Sequence, residues 1–162
     1  MSESTTNPID RATVANCFLA IHSTDASPEV RKAANQQLLD FESNPVGLIT
    51  SLLALFEGES HEGVRLQALV YFCNVVKRNW QIRRYNKAHA DFDALKRDIR
   101  QKVILYLCRK ERTYLKTLFD LLRFLVEKDY PMNFPAFSQF TLQMMAEMDL
   151  SDTSILVMKQ LK

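Results

Sequence analysis

Histidine and cysteine are the side chains of this sequence that could coordinate a metal or act as a nucleophile with its base. The chain contains His22, His61 and His89, and Cys17, Cys73 and Cys108. No histidine shares a predicted helix face with a carboxylate or a cysteine at ligand spacing, and the cysteines match neither a disulfide framework nor a zinc site. Each cysteine lies in an apolar segment, so we expect all three to be small buried side chains.

The sequence also lacks the short motifs that mark common catalytic sites. It contains no G-x-x-x-x-G-K, G-x-G-x-x-G, H-E-x-x-H or G-x-S-x-G. Its carboxylates are scattered through predicted helix caps and termini, and no pair lies in an apolar surround that would raise a pKa for general acid catalysis. We therefore expect no enzyme, no metal, no cofactor and no small-molecule substrate.

Polar side chains instead recur along two predicted helices, each time at the spacing of one helix face. The fourth-helix line comprises Gln67, Asn74, Lys77 and Arg78, and the sixth-helix line comprises Lys116, Asp120, Arg123 and Glu127, with Arg112 one turn earlier. A surface of mixed charge suits a protein partner better than a nucleic-acid backbone, which attracts only lysine and arginine. The alternative is a solvated face whose i,i+4 ion pairs contribute about 0.3–0.5 kcal/mol each.

Eight amphipathic segments provide the helices that would position these side chains. They cover residues 8–23, 28–43, 45–57, 64–80, 92–109, 111–128, 133–149 and 151 onward. Between the fourth and the fifth lies a polar, basic connector, residues 81–91, which we predict to be a mobile loop.

Capping residues mark the predicted helix starts. Asn7-Pro8, Ser27-Pro28 and Asn44-Pro45 each place an N-cap side chain directly before a proline at the first helical position. Ser60 and the Ser151-Asp152 pair are further candidate caps. These residues predict where most of the helices begin.

The fourth predicted helix carries two apolar stripes, whereas a surface helix needs only one. The first stripe comprises Val64, Ala68, Tyr71 and Val75, and the second comprises Leu66, Leu69, Cys73, Val76 and Trp80. Two stripes indicate a helix packed on two sides, and the connector lengths pair successive helices. We predict an all-α fold, a right-handed α-solenoid of about four HEAT- or armadillo-like two-helix repeats, with a closed helical bundle as the alternative.

Composition excludes several other classes of protein. Three glycines are few for a β-rich fold or a phosphate-binding loop. No apolar run reaches the ~20 residues that cross a bilayer, and the first residues have neither signal nor transit character. The sequence therefore predicts a protein of the cytoplasm or nucleus without membrane insertion.

Positive charge is concentrated in residues 77–112, which carry 12 basic and 4 acidic side chains. Such a segment could contact nucleic acid, an acidic protein or only water. Trp80 lies within it, but this residue completes an apolar stripe and is predicted to be core rather than a platform for stacking bases. A nucleic-acid-binding helical protein stays open as a further interpretation.

The last predicted helix keeps its apolar period up to Lys162 without a terminal cap. A solenoid needs a polar capping repeat at its free end. We therefore expect residues 8–162 to be the N-terminal domain of a longer solenoid, preceded by a flexible stretch at residues 1–7.

The order of several short motifs resembles the N-terminal region of importin-β-type nuclear transport receptors, the karyopherins. The matching positions are Ala34, Leu38, Phe41, Glu42, Pro45, Leu48, Leu52, Leu55, Val64, Arg65, Ala68, Asn74, Val75, Val76, Lys77 and Trp80, followed by Asp129, Tyr130, Pro131, Phe134 and Pro135. Asn35, Cys73 and Phe134 depart from the family's usual Glu, Lys and Trp. The resemblance covers about residues 10–150.

This resemblance implies an α-solenoid whose N-terminal repeats bind the GTP-bound Ran GTPase on the concave faces of their second helices. By position, the fourth-helix line and the sixth-helix line would form that surface. A cargo protein and nucleoporin Phe-Gly repeats would be further partners of a receptor that shuttles between cytoplasm and nucleus. A HEAT-repeat protein–protein scaffold that does not depend on Ran is the alternative.

Overall fold

The computed structural model describes residues 9–58, 61–81 and 87–146, and all regular structure in these ranges is α-helical. The helices are α1 (Arg11–His22), α2 (Pro28–Phe41), α3 (Pro45–Gly58), α4 (Glu62–Asn79), α5 (Lys87–Cys108), α6 (Arg112–Asp129) and α7 (Ala136–Ala146). The predicted all-α, HEAT-like fold class is confirmed. The predicted eighth helix and the flexible residues 1–7 lie outside the described residues. The handedness and the number of repeats stay predictions.

The chain divides into two compact units, Met1–Arg83 and Arg84–Lys162. In the first unit the most extensive packing joins α3 to α4 and α1 to α2, and α1 also contacts α3 and α4. In the second unit α5 packs mainly against α6 and also contacts α7. The pairing of consecutive helices that the connector lengths predicted is therefore confirmed for the first six helices.

Two of the predicted caps begin their helices as expected. The Ser27 hydroxyl accepts the backbone N–H of Val30 at 3.3 Å at the start of α2. The Asn44 side-chain oxygen accepts the backbone N–H of Gly47 at 3.1 Å at the start of α3. Each bond satisfies an N–H group that has no partner within its own helix, which is why the helices begin there.

Two other helix starts differ from the prediction. The first helix begins later than predicted, because Ile9 and Asp10 are not helical and the Asp10 carboxylate caps α1 at Arg11 through the backbone N–H groups that follow it. Asn7 and Pro8, the predicted cap and first residue, lie outside the described residues. At α4 the cap is His61, whose side chain accepts a hydrogen bond from the first turn. Ser60, the residue predicted for this role, lies outside the described residues.

Both apolar stripes of α4 are buried. The buried members of the first stripe are Val64, Ala68 and Val75, and those of the second stripe are Leu69, Cys73, Val76 and Trp80. The ring of Phe72 is also buried. Tyr71 and Leu66 are half-buried. The predicted packing of this helix on two sides is confirmed, and the accessible strip that remains carries the polar residues.

The fifth helix corrects two expectations. α5 begins at Lys87, so the predicted mobile loop is wrong for residues 87–91, while residues 82–86 lie outside the described part of the chain. The segment is polar and carries no apolar period, yet it has no glycine or proline to prevent a helix. Cys108, the last residue of α5, is exposed, whereas Cys17 and Cys73 are buried as expected.

Candidate protein-binding surface

The fourth-helix line lies on the accessible strip of α4. Asn74 and Arg78 are exposed, and Gln67 and Lys77 are half-buried. A helix with two buried stripes can present only a narrow polar surface, and these side chains occupy it. The line can therefore donate and accept hydrogen bonds and offers two positive charges to a partner.

Arg78 is held in place by the end of α2. Its guanidinium donates a hydrogen bond to the Glu42 carboxylate, and the Tyr71 hydroxyl donates to the same oxygen at 2.7 Å. The Arg78 and Glu42 side chains are 51% and 20% exposed. Sequence reasoning missed this role of Glu42, because no periodic pattern connects positions 36 residues apart. Part of the charge of Arg78 is therefore already matched by Glu42.

Tyr71 makes the stability of the first unit sensitive to high pH. Burial, followed by the hydrogen bond to Glu42 and the charge of that carboxylate, raises the pKa of the Tyr71 phenol above its ordinary value of 10.0. The folded protein keeps this proton where the unfolded chain releases it, so we expect stability to fall as the pH rises above about 10. In a Tyr71→Phe variant, stability should fall less steeply with pH. The measurement is the urea midpoint at each pH, followed by the fluorescence of Trp80, the chain's single tryptophan.

A Tyr130→Phe variant provides the matched control. Tyr130 is exposed and belongs to the second unit, so its loss should leave the pH slope reported by Trp80 unchanged. Some slope should persist in Tyr71→Phe, because burial also raises the pKa of the Cys17 thiol. Equal slopes in the wild-type protein and in Tyr71→Phe would contradict the assignment.

Gln67 also lines a cavity of about 560 Å³ on the first unit. The other lining residues come from α1, the residue after it and the start of α4, and they are Phe18, Leu19, His22, Ser23, His61, Gly63 and Val64. Leu19, one of these residues, is 49% exposed. Gln67 therefore differs from the rest of the fourth-helix line, since its amide lies beside apolar side chains that a partner could also cover.

The sixth-helix line is exposed along its whole length, including Arg112. The opposite face of α6 is buried through Leu115, Leu118, Leu122 and Leu125. Arg123 donates to Glu127 at 3.2 Å, with side chains that are 70% and 56% exposed. A pair so exposed contributes only about 0.3–0.5 kcal/mol, so both charges can exchange this contact for one with a partner at little cost.

Other kinds of site find little support in the described residues. No group of three or more His, Cys, Asp or Glu side chains there could hold a metal ion. The described helices are all too short or too polar to cross a membrane. Trp80 is 2% exposed, which confirms it as core and removes it as a platform for stacking bases.

A comparison with known families matches part of the chain. Residues 34–109 match the model of the importin-beta N-terminal domain family. This range runs from α2 to the end of α5 and includes the fourth-helix line, but it ends before α6. Residues 34–109 are thus similar to the importin-beta N-terminal domain, and the resemblance seen in the sequence is confirmed.

A curated relative points to the same class of protein. Exportin-2 of Danio rerio is 28% identical to the chain over 110 residues. The aligned part is 68% of this chain but only 11% of that protein, so the chain corresponds to a small fraction of the relative's length. No solved structure matches the chain.

Proposed function

We propose that this chain is the N-terminal part of a nuclear transport receptor and that it binds Ran in its GTP-bound form. The observation that carries the proposal is the importin-beta N-terminal domain match over residues 34–109, because Ran-GTP binding is typical of that domain. Gln67, Asn74, Lys77 and Arg78 lie within the matched range. Binding of Ran would then control the capture or the release of cargo.

The chemistry of the two lines supports a protein partner. Together they offer four cations, two carboxylates and two amides, a mixture that can match a polar protein surface of either sign. Asn74 and Lys77 have accessible side chains, and Arg78 is half-exposed while it donates a hydrogen bond to Glu42, so all three can contact a partner. A few residues near the centre of the contact should contribute most of the affinity.

The wider role follows from the same proposal. The complete receptor would carry a cargo protein, contact nucleoporin Phe-Gly repeats and shuttle between cytoplasm and nucleus. Residues 8–162 would form its first helical repeats. A HEAT-repeat scaffold that binds proteins without Ran is the alternative, and nucleotide dependence separates the two.

The direct test is retention of the 162-residue chain on immobilised Ran. Ran loaded with a non-hydrolysable GTP analogue should retain the chain, and Ran loaded with GDP should retain much less. Equal retention by both forms, or none by either, would contradict the proposal and favour the scaffold.

Charge reversal on α6 should weaken this interaction selectively. We expect Lys116→Glu/Arg123→Glu to reduce the affinity for GTP-loaded Ran at least tenfold, about 1.4 kcal/mol, because two exposed cations become carboxylates. Affinity is measured by biolayer interferometry at fixed salt. The control Arg11→Glu/Lys102→Glu makes the same change of net charge on α1 and α5, and it should bind as the wild type does. Equal losses in both double variants would indicate a general charge effect instead of this surface.

A further inference from the structure

A cavity on the second unit is lined by residues that belong to neither polar line and that have no part in the proposed function. Its volume is about 430 Å³, and its lining residues are Asp93, Lys96, Arg97, Arg100, Asp129 and Asn133. The first four recur along one face of α5, Asp129 ends α6, and Asn133 belongs to the segment that joins α6 to α7. The lining is thus polar and carries three cations and two carboxylates.

The two carboxylates of the cavity are already engaged. Arg100 donates to Asp129 through Nε at 2.9 Å and Nη2 at 2.7 Å. The Lys96 ammonium lies 3.9 Å from a carboxylate oxygen of Asp93. Arg97 is exposed, and it forms no ion pair with any residue that the structure describes. The cavity therefore retains one positive charge, on a side chain that a ligand can reach.

The chemistry around Arg97 matches a single carboxylate. A guanidinium binds a carboxylate through two parallel hydrogen bonds, and the Asn133 amide could add a donor from the α6–α7 segment. A phosphate dianion suits the cavity less well, because the one remaining positive charge balances only one of its two negative charges. Met132, which precedes Asn133 in the chain, has an apolar side chain that is 86% exposed.

We propose that this cavity binds an acidic side chain of a peptide segment in a protein partner. The carboxylate pairs with Arg97 and the Asn133 amide, and an apolar neighbour in the peptide packs on Met132. The partner segment therefore carries an acidic side chain with an apolar residue next to it. This binding does not depend on Ran or on any nucleotide.

The test uses a blocked pentapeptide, acetyl-Ala-Leu-Glu-Leu-Ala-amide, and its glutamine counterpart. Each is titrated into the 162-residue chain while NMR follows the Arg97 Nε–H and the Asn133 side-chain amide. We expect saturable shifts with the glutamate peptide and at least tenfold weaker binding of the glutamine peptide. Arg97→Gln should weaken binding of the glutamate peptide at least tenfold, since a charge-assisted bond is lost. Arg97 is exposed, so this variant should fold normally.

Lys102→Gln is the matched control, because it removes a cation from α5 outside the cavity lining and should leave the affinity unchanged. Asn133→Ala should give a smaller loss than Arg97→Gln. Four outcomes overturn the proposal: no saturable binding of the glutamate peptide, equal binding of both peptides, unchanged binding in Arg97→Gln, or tighter binding of inorganic phosphate than of the glutamate peptide.

Discussion

Replacing Phe72 by alanine should lower the free energy of unfolding of the first unit by about 3–5 kcal/mol. The ring lies on α4, which is packed on two sides, and it is 1% exposed. Its removal therefore leaves a cavity in the core of the first unit. The loss combines the transfer energy of the ring with the cost of that cavity, because the neighbouring side chains can only partly fill it. Urea denaturation followed by Trp80 fluorescence measures the effect within the same unit.

The control for this prediction lies two residues earlier on the same helix. Val70 is 39% exposed, so Val70→Ala should change the stability by no more than about 0.5 kcal/mol. Phe72→Leu leaves a smaller void and should give a smaller loss of the same sign, which keeps the test usable if the alanine variant unfolds. A loss below about 1 kcal/mol for Phe72→Ala would mean that α4 is not packed on two sides.

Local patterns predicted most of the first unit. Ser27 and Asn44 begin their helices because an N-cap needs only the residues of its own first turn. The two stripes of α4 were visible for the same reason, since a helix face is set by spacing along the chain. The start of α1 was misplaced because Asp10 is also a good cap and lies closer to the apolar residues.

The fifth helix shows where such patterns stop working. The first turn of α5 has polar or small side chains with no apolar period, and the same composition is typical of a loop. Because these residues form no apolar stripe, the connector was predicted to extend to residue 91, although α5 begins at Lys87. Helix breakers would not have located this start either, because neither glycine nor proline occurs between Gly63 and Pro131.

In the candidate site, too, patterns within one helix were predicted and contacts between helices were not. Periodicity placed the residues of the sixth-helix line on one exposed face, and the structure agrees that all of them are accessible. The pairs Arg78–Glu42 and Arg100–Asp129 were not predicted, because their members lie 36 and 29 residues apart. Each pair exists only once helices have packed, and opposite charges are too common in this sequence to identify such partners in advance.

In the second unit, Asp129→Ala should lower stability by about 3 kcal/mol, at the low end of the effect expected for a buried ion pair. The Arg100 and Asp129 side chains are 13% and 10% exposed, and Arg100 donates two hydrogen bonds to one carboxylate oxygen. Removal of the carboxylate leaves a nearly buried guanidinium without this partner between α5 and the end of α6. Hydrogen exchange of the α5 and α6 amides measures the change, since the single tryptophan lies in the first unit.

Burial, not ion pairing as such, is the reason for the size of this effect. Glu127→Ala removes the partner of Arg123 in an exposed ion pair on α6. It should change the free energy of hydrogen exchange of the α5 and α6 amides by less than about 0.5 kcal/mol. A double variant, Arg100→Leu/Asp129→Leu, should recover much of the loss, because it leaves no unmatched charge at this nearly buried position. If Asp129→Ala and Glu127→Ala reduce protection equally, the Arg100–Asp129 pair does not stabilise the contact between α5 and α6.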